Sequence, residues 1–177
     1  MKSVLIIFLF IITLEASEKP YQIKLIDSLD RPDDGYCLDI LGSGKHMRPD
    51  MPLMGHNCKP GLYADEAFIF RKDGTIYSPV LNLCATIAGV NSYVLDYTSL
   101  VLKECNEDTP FVNAKFMQAF EYTKLKKIKH KNSNKCLEMG EESSRTFSPV
   151  HSWRTLYMRE CSKTNTKRST WYFNITF

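Results

Sequence analysis

Cys37-Leu38-Asp39-Ile40 decides the reading, because the chain returns to it twice, as Cys84-Ala85-Thr86-Ile87 and Cys136-Leu137-Glu138-Met139. Each is a short strand-like run opened by a cysteine. A second cysteine follows each at a similar distance: Cys58 and Cys105 after 21 residues, Cys161 after 25. The first cysteines are themselves 47 and 52 residues apart, which divides the chain into three units of about 50 residues.

Working outward, the same order of features recurs in each unit. Ahead of the first cysteine lies another apolar-rich run: residues 21–26, 74–77 and 125–130. The second cysteine closes a third run, and an aromatic residue leads into a fourth: Phe68, Phe120 and Trp171. Between the runs stand turn compositions such as Arg31-Pro32-Asp33-Asp34-Gly35, Lys72-Asp73-Gly74 and Lys131-Asn132-Ser133-Asn134. Four short strands in each of three units make an all-β domain. One unit cannot bury its apolar face alone; three do so around a pseudo-threefold axis. The three aromatics are expected in that core. Residues 111–120 fit the pattern poorly and are read as a looped or 3₁₀ insertion. The extra residues of the third unit, around Gly140 to His151, are read as a polar surface loop.

The N-terminus has a different character. Met1-Lys2 precedes an uncharged apolar run from Val4 to Leu14, followed by Glu15-Ala16-Ser17. This is the layout of a secretory signal peptide, and its roughly eleven apolar residues fall short of the ~20 needed to span a bilayer. Residues 1–16 are therefore expected to be removed, leaving one domain over 17–177, with repeats at about 20–73, 74–123 and 124–177. A secreted, extracellular location without a transmembrane segment follows. Six cysteines in an exported chain read as three disulfides, although their number alone permits fifteen pairings.

No pair of cysteines or histidines is spaced for a metal, and neither HExxH nor GxSxG occurs. The neighbouring acids Asp33-Asp34 and Asp65-Glu66 would point to opposite faces of a strand, which suits no shared acid–base pair. His46, His56, His130 and His151 show no partner spacing. These features argue for a binding module and against an enzyme, with neither cofactor nor metal. The formal charge of +3 hints at anionic partners. Export argues against nucleic acid.

The repeated unit resembles that of the ricin-type (R-type) lectins, whose signature is a Cys-Leu-Asp strand, a later hydrophobic-x-x-Cys and a Gln-x-Trp. Cys37-Leu38-Asp39 matches the first part; Gln118-Ala119-Phe120 matches the last with Phe for Trp. The resemblance implies a ricin B-like β-trefoil with one disulfide per repeat: Cys37–Cys58, Cys84–Cys105 and Cys136–Cys161. It also implies shallow carbohydrate pockets in which a carboxylate accepts from sugar hydroxyls and an aromatic stacks on the ring.

Carried over position by position, Asp39 fills the carboxylate place of the first unit, as ligand contact or as brace of its loop. His56 stands at the stacking position, as ligand contact or as a surface histidine. Asp65 and Glu66 replace the usual Asn and Gln. In the second unit Thr86 and Lys103 replace the key residues, so that pocket is expected to be dead although Gln118 is kept. The third unit offers Glu138, Arg159 and Arg168 as a secondary candidate. Its arginines either lie in solvent or meet a sulfated or sialylated glycan. Lys127, Lys129 and Lys131 would line one side of a strand, as a solvated edge or as a patch for sulfated glycan or anionic membrane. Asn174-Ile175-Thr176 is a possible N-glycosylation sequence. Glycans or glycoproteins are thus the expected partners. The alternative is a protein-binding trefoil, such as a toxin subunit, inhibitor or secreted effector, that has lost sugar binding.

Overall fold

The computed structural model describes residues 18–146, 148 and 150–174. The expected leader, residues 1–16, lies outside them. Among the described residues there are twelve strands, four per unit. The first unit holds β1 (Gln22–Leu25), β2 (Tyr36–Asp39), β3 (Met54–Asn57) and β4 (Ile69–Phe70). The second holds β5 (Ile76–Ser78), β6 (Leu83–Ile87), β7 (Thr98–Lys103) and β8 (Phe120–Tyr122). The third holds β9 (Ile128–His130), β10 (Lys135–Arg145), β11 (Ser152–Glu160) and β12 (Trp171–Asn174).

The fourth strand of each unit pairs antiparallel with the first strand of the next: β4 with β5, β8 with β9, and β12 with β1, which closes the ring. The middle strands form hairpins, β2–β3, β6–β7 and β10–β11. These hairpins meet one another across the axis: β11 pairs with β3 and with β7, and Leu53 N–H donates to the Leu100 carbonyl at 2.7 Å on the third side. Lys24, Tyr77 and Lys129 each sit opposite their unit's first cysteine, so the register also repeats threefold. This is a β-trefoil.

Strand alternation explains the core. In β2 and the residue after it, Leu38 and Ile40 turn inward, and so do Ala85 and Ile87, and Leu137 and Met139, in the other units; all are at most 1% exposed. Phe68, Phe120 and Trp171 are completely buried among them, as expected. Two residues further on in each unit, Phe70, Tyr122 and Phe173 gather at one end of the ring, with Phe173 5.7 Å from Phe70 and 4.7 Å from Tyr122 between ring centres. The cysteines take the outward side of the same strands. Bridges join Cys37–Cys58, Cys84–Cys105 and Cys136–Cys161, each inside its own unit. Each closes a loop worth about 3 kcal/mol in the chain-entropy account.

Two expectations about irregular segments need correction. Residues 111–120 contain a single α-helical turn, α1 (Ala114–Met117), whose N-terminus is capped by the Asn113 side chain. The third unit has its counterpart in α2 (Thr166–Ser169), capped by Asn165, so the helical turn recurs there, and the extra residues of the second unit lie ahead of it. The extra residues of the third unit do not all form a loop either. They lengthen β10 and β11, whose far end lies across the first unit with Trp153 opposite His56 and Arg154 opposite Gly55. Arg154, 6% exposed, holds this extension down. Its guanidinium donates to Asp30 Oδ1 at 2.6 Å, to the Gly140 carbonyl at 2.9 Å and to the Glu141 carbonyl, and lies 4.9 Å from the Tyr36 ring centre. Such a buried cation is tolerated because both terminal nitrogens of the guanidinium are taken up, although Nε finds no partner among the described residues.

Candidate functional site

The backbone pattern that buries Leu38 and Ile40 turns Cys37 and Asp39 to the other side. Cys37 sits opposite His56 in the β2–β3 hairpin, so Asp39 and His56 share that outer face. The chain then returns beneath them: Asp65 and Glu66 lie in the turn that leads into Phe68. Because this is a turn and not a strand, the two neighbouring acids do not diverge as expected. Their carboxylates converge with that of Asp39 on one cation, the ammonium of Lys59. Lys59 Nζ donates to Asp39 Oδ2 at 2.9 Å and to Asp65 Oδ2 at 2.5 Å, and stands 3.9 Å from Glu66 Oε1.

All three acids are at most 1% exposed. Glu66 is tethered further by the Lys59 backbone N–H at 3.1 Å and by Gln22 Nε2 at 2.7 Å, while its Oε1 finds no hydrogen-bond partner among the described residues. Three buried carboxyls facing one ammonium cannot all ionise cheaply. Burial, reinforced by Asp65 and Glu66 and opposed by Lys59, pushes the Asp39 carboxyl up to about 8. Burial likewise raises Glu66. For Lys59, burial acts to lower the ammonium, but the attraction of Asp39 and its partners outweighs it and the net shift is upward. One donor each from Asp39, His56 and Glu66 lies within 4.8 Å of the others, a spacing that would suit a metal; Lys59 already serves as the cation there.

His56 is 6% exposed, so it offers no open ring face to a ligand. Its Nδ1 approaches the Asn57 carbonyl at 2.9 Å, which requires a proton on Nδ1. Nε2 is then an acceptor, and His151 Nδ1 donates to it at 3.3 Å. Desolvation lowers the His56 pKa. His151 comes from the third unit's long hairpin, as does Ser152, whose N–H donates to Asn57 Oδ1 at 2.9 Å. Beside this contact lies an open polar cleft of about 560 Å³, whose walls include Gln22, Arg31, Asp34, Asn57, Lys59 and His151.

The other units repeat the arrangement with different chemistry. In the second, Thr86 Oγ1 accepts from Gln118 Nε2 at 2.8 Å, and Gln118 Oε1 accepts from the Asn106 N–H at 2.8 Å. Asn106 follows Cys105 as Lys59 follows Cys58, so Gln118 and Glu66 perform the same tethering. No carboxylate stands there. In the third unit Glu138 is fully buried. It accepts from the Asn165 N–H at 2.9 Å and more loosely from Arg168 at 3.3 Å and Arg159 at 3.5 Å.

The ammonium groups of the lysine run take different partners. Lys127 Nζ donates to the Cys161 carbonyl and Thr164, Lys129 to Glu121, Lys131 to the Asp73 carbonyl and Lys135 to Asp96. Asn174 lies in β12 with its amide donating to Gln22 Oε1 at 3.0 Å; the other two residues of its glycosylation triplet fall outside the described residues.

The family model of the ricin-type β-trefoil lectin domain matches residues 26–168, most of the chain. The chain belongs to the ricin-type β-trefoil lectin family. Solved structures of similar shape include the β-trefoil lectin of the Vibrio vulnificus hemolysin/cytolysin, solved with N-acetyl-D-lactosamine bound. It is 14% identical at a TM-score of 0.57, over 92% of this chain and 98% of that one. The agglutinin of Abrus precatorius is 17% identical at 0.56, over 92% of this chain and 51% of its own. The C-half of an earthworm R-type lectin, in complex with GalNAc, is 12% identical at 0.54, over 88% and 98%. At such identities the likeness concerns the fold alone. No curated protein matches in sequence. Family membership makes this ricin-type trefoil a lectin-like, non-catalytic module.

Proposed function

We propose that this trefoil is an exported glycan-binding protein with its principal sugar site in the first unit, at Asp39, His56, Asp65 and Glu66. The observation that carries the reading is the convergence of Asp39 and Asp65 on one donor at 2.9 and 2.5 Å. A pair of vicinal sugar hydroxyls is a donor set of the same kind, and carboxyl oxygens accept from it. The side chain of Lys59 is 16% exposed and borders the open cleft, whose volume suits one or two sugar rings. A sugar reaches the carboxylates as the ammonium withdraws, so Lys59 sets the affinity by competing. His56 acts through His151, which it holds at the wall of the cleft by the bond to its Nε2, because its own ring is covered. A second surface, at Glu138, Arg159 and Arg168, adds preference for anionic or sulfated glycans. Three disulfides and the apolar leader support export.

A glycan array with the purified domain, followed by calorimetry on the best hit, tests this. Asp39→Asn preserves shape and replaces one carboxyl oxygen by an amide nitrogen that only donates, and is expected to weaken binding at least tenfold, about 1.4 kcal/mol. Failure of the intact protein to bind any glycan would sink the reading. The burial and internal pairing of the three acids favour a second reading, a protein-binding trefoil that has lost sugar binding. Capture of a membrane partner that survives deglycosylation of the membranes would point there; capture abolished by deglycosylation supports the lectin.

A further inference from the structure

Tyr97, which no sequence motif singles out, stands where the second unit meets the third. It is a bulky residue at φ 67°, in the left-handed region that aromatic side chains avoid. That conformation costs of order 1–3 kcal/mol and persists only where the surroundings impose it. Here they do so from both sides. The Tyr97 N–H donates to the Met158 carbonyl at 2.7 Å. The preceding residue, Asp96, accepts from Lys135 Nζ at 2.5 Å and from the Glu160 N–H at 2.8 Å. The residue is nevertheless 60% exposed. Its ring centre lies 5.0 Å from that of Tyr157, and the Arg159 guanidinium lies 5.6 Å from it. Strain is spent on presenting an aromatic ring to solvent beside a cation.

The cations there are incompletely used. Arg159 and Arg168 share the single buried carboxylate of Glu138, at 3.5 and 3.3 Å, the long edge of hydrogen bonding. Arg168 Nε is buried without a partner among the described residues. Arg168 also reaches Glu141 at 3.5 Å, but that carboxylate is 76% exposed and screened. Two guanidiniums against one buried carboxylate leave a net positive charge next to a flat apolar surface.

We propose that Tyr97 and Tyr157, together with Arg159 and Arg168, form a composite site for an acidic saccharide. The pyranose ring lies on Tyr97, and its carboxylate or sulfate meets the guanidinium of Arg159, the more exposed of the two, while Arg168 adds its charge from behind. The stacking surface is thus supplied by the neighbouring unit, at a place where the third unit's own stacking position holds Arg159. This inference rests on the glycan-binding reading and assigns its second surface a ligand class and a specificity residue.

Calorimetry with sialyllactose, lactose sulfate, lactose and inorganic sulfate tests it and separates carboxylated from sulfated ligands. One or both acidic lactoses are expected to bind more tightly than lactose, with inorganic sulfate a poor competitor. Tyr97→Asn suits the left-handed backbone and removes the ring, so it should fold at least as stably while weakening acidic-glycan binding about tenfold. Tyr97→Phe should retain the binding. Arg159→Met should abolish the preference for acidic over neutral lactose. Acidic-glycan binding unchanged in Tyr97→Asn overturns the proposal, as does inorganic sulfate competing as well as the sugars. Lactose binding that depends on Asp39, with no preference for acidic sugars, overturns this inference and leaves the glycan reading standing. An absence of all glycan binding overturns both.

Discussion

Lys59 is the residue on which the first unit's chemistry turns. Replacing it by Met keeps the stem and leaves Asp39, Asp65 and Glu66 buried without a cation. Removing one partner from a buried ionic cluster costs about 3–5 kcal/mol, and urea unfolding of Lys59→Met is expected to show a loss of that order. The same cluster sets a pH dependence. Asp39, held at about 8 in the fold against 3.8 for an ordinary aspartate, binds its proton more tightly when folded. Its contribution is complete below the ordinary aspartate range and is lost as pH rises towards 8. His56 and His130, both lowered by burial, act in the opposite sense and withdraw stability as pH falls through 6.5. Asp30, lowered to about 2 against its burial by bonds from Ser143, Arg154 and Tyr36, contributes above the ordinary aspartate range and fails towards pH 2. The acid cluster is therefore isolated between pH 6.5 and 8, where the melting temperature of the wild type should fall. Asp39→Asn should flatten that slope; an equal slope in the variant contradicts the assignment. None of this was visible in the sequence. Asp39, Asp65 and Glu66 could be named from the repeat, but the cation between them could not, because Lys59 reaches back from a loop that carries no motif.

At the scale of elements, turns and hairpins respond to different constraints. Gly74 closes the Lys72-Asp73-Gly74 turn at φ 99°, and a Cβ there would stand 2.4 Å from the Phe120 carbonyl oxygen. Gly74→Ala is expected to cost about 2 kcal/mol in chemical unfolding, since both the backbone conformation and the space forbid a side chain. That turn was readable in advance, because turn chemistry is local. The long β10–β11 hairpin was not. Its extra residues are polar, and only the closure of the trefoil places them over the first unit, where Arg154 finds Asp30 and Tyr36. Arg154→Met should therefore loosen the hairpin end before the core. Hydrogen exchange is expected to speed up selectively over residues 140–146 and 151–154, with protection around Trp171 retained; uniform loss across both regions would contradict a local role.

For the whole molecule, the disulfides and the core aromatics were legible because both follow the repeat: equal spacing, strand alternation and an aromatic in step with each cysteine pair. What escaped the sequence lies where units touch, as with Tyr97 against Tyr157 and His151 against His56. Contacts between units are set by ring closure, and no local pattern encodes them. Since each bridge is internal to one unit, replacing Cys84 and Cys105 together by Ser should cost about 3 kcal/mol in global stability while leaving the fold and the other two bridges intact. Non-reducing peptide mapping of that variant checks the pairing, and circular dichroism checks the fold.

The pairing of β12 with β1 has a consequence in time. A growing chain emerges amino end first, so β1 is present long before its partner has been made. Each covalent clip spans only 21 or 25 residues and is free to form as its own stretch appears. Through that interval the bare edge of β1 is a template for any β12 within reach, including one on another newly made copy. Crowded synthesis of this protein should thus favour interlocked dimers that exchange their final strand, whereas dilute synthesis should favour monomers.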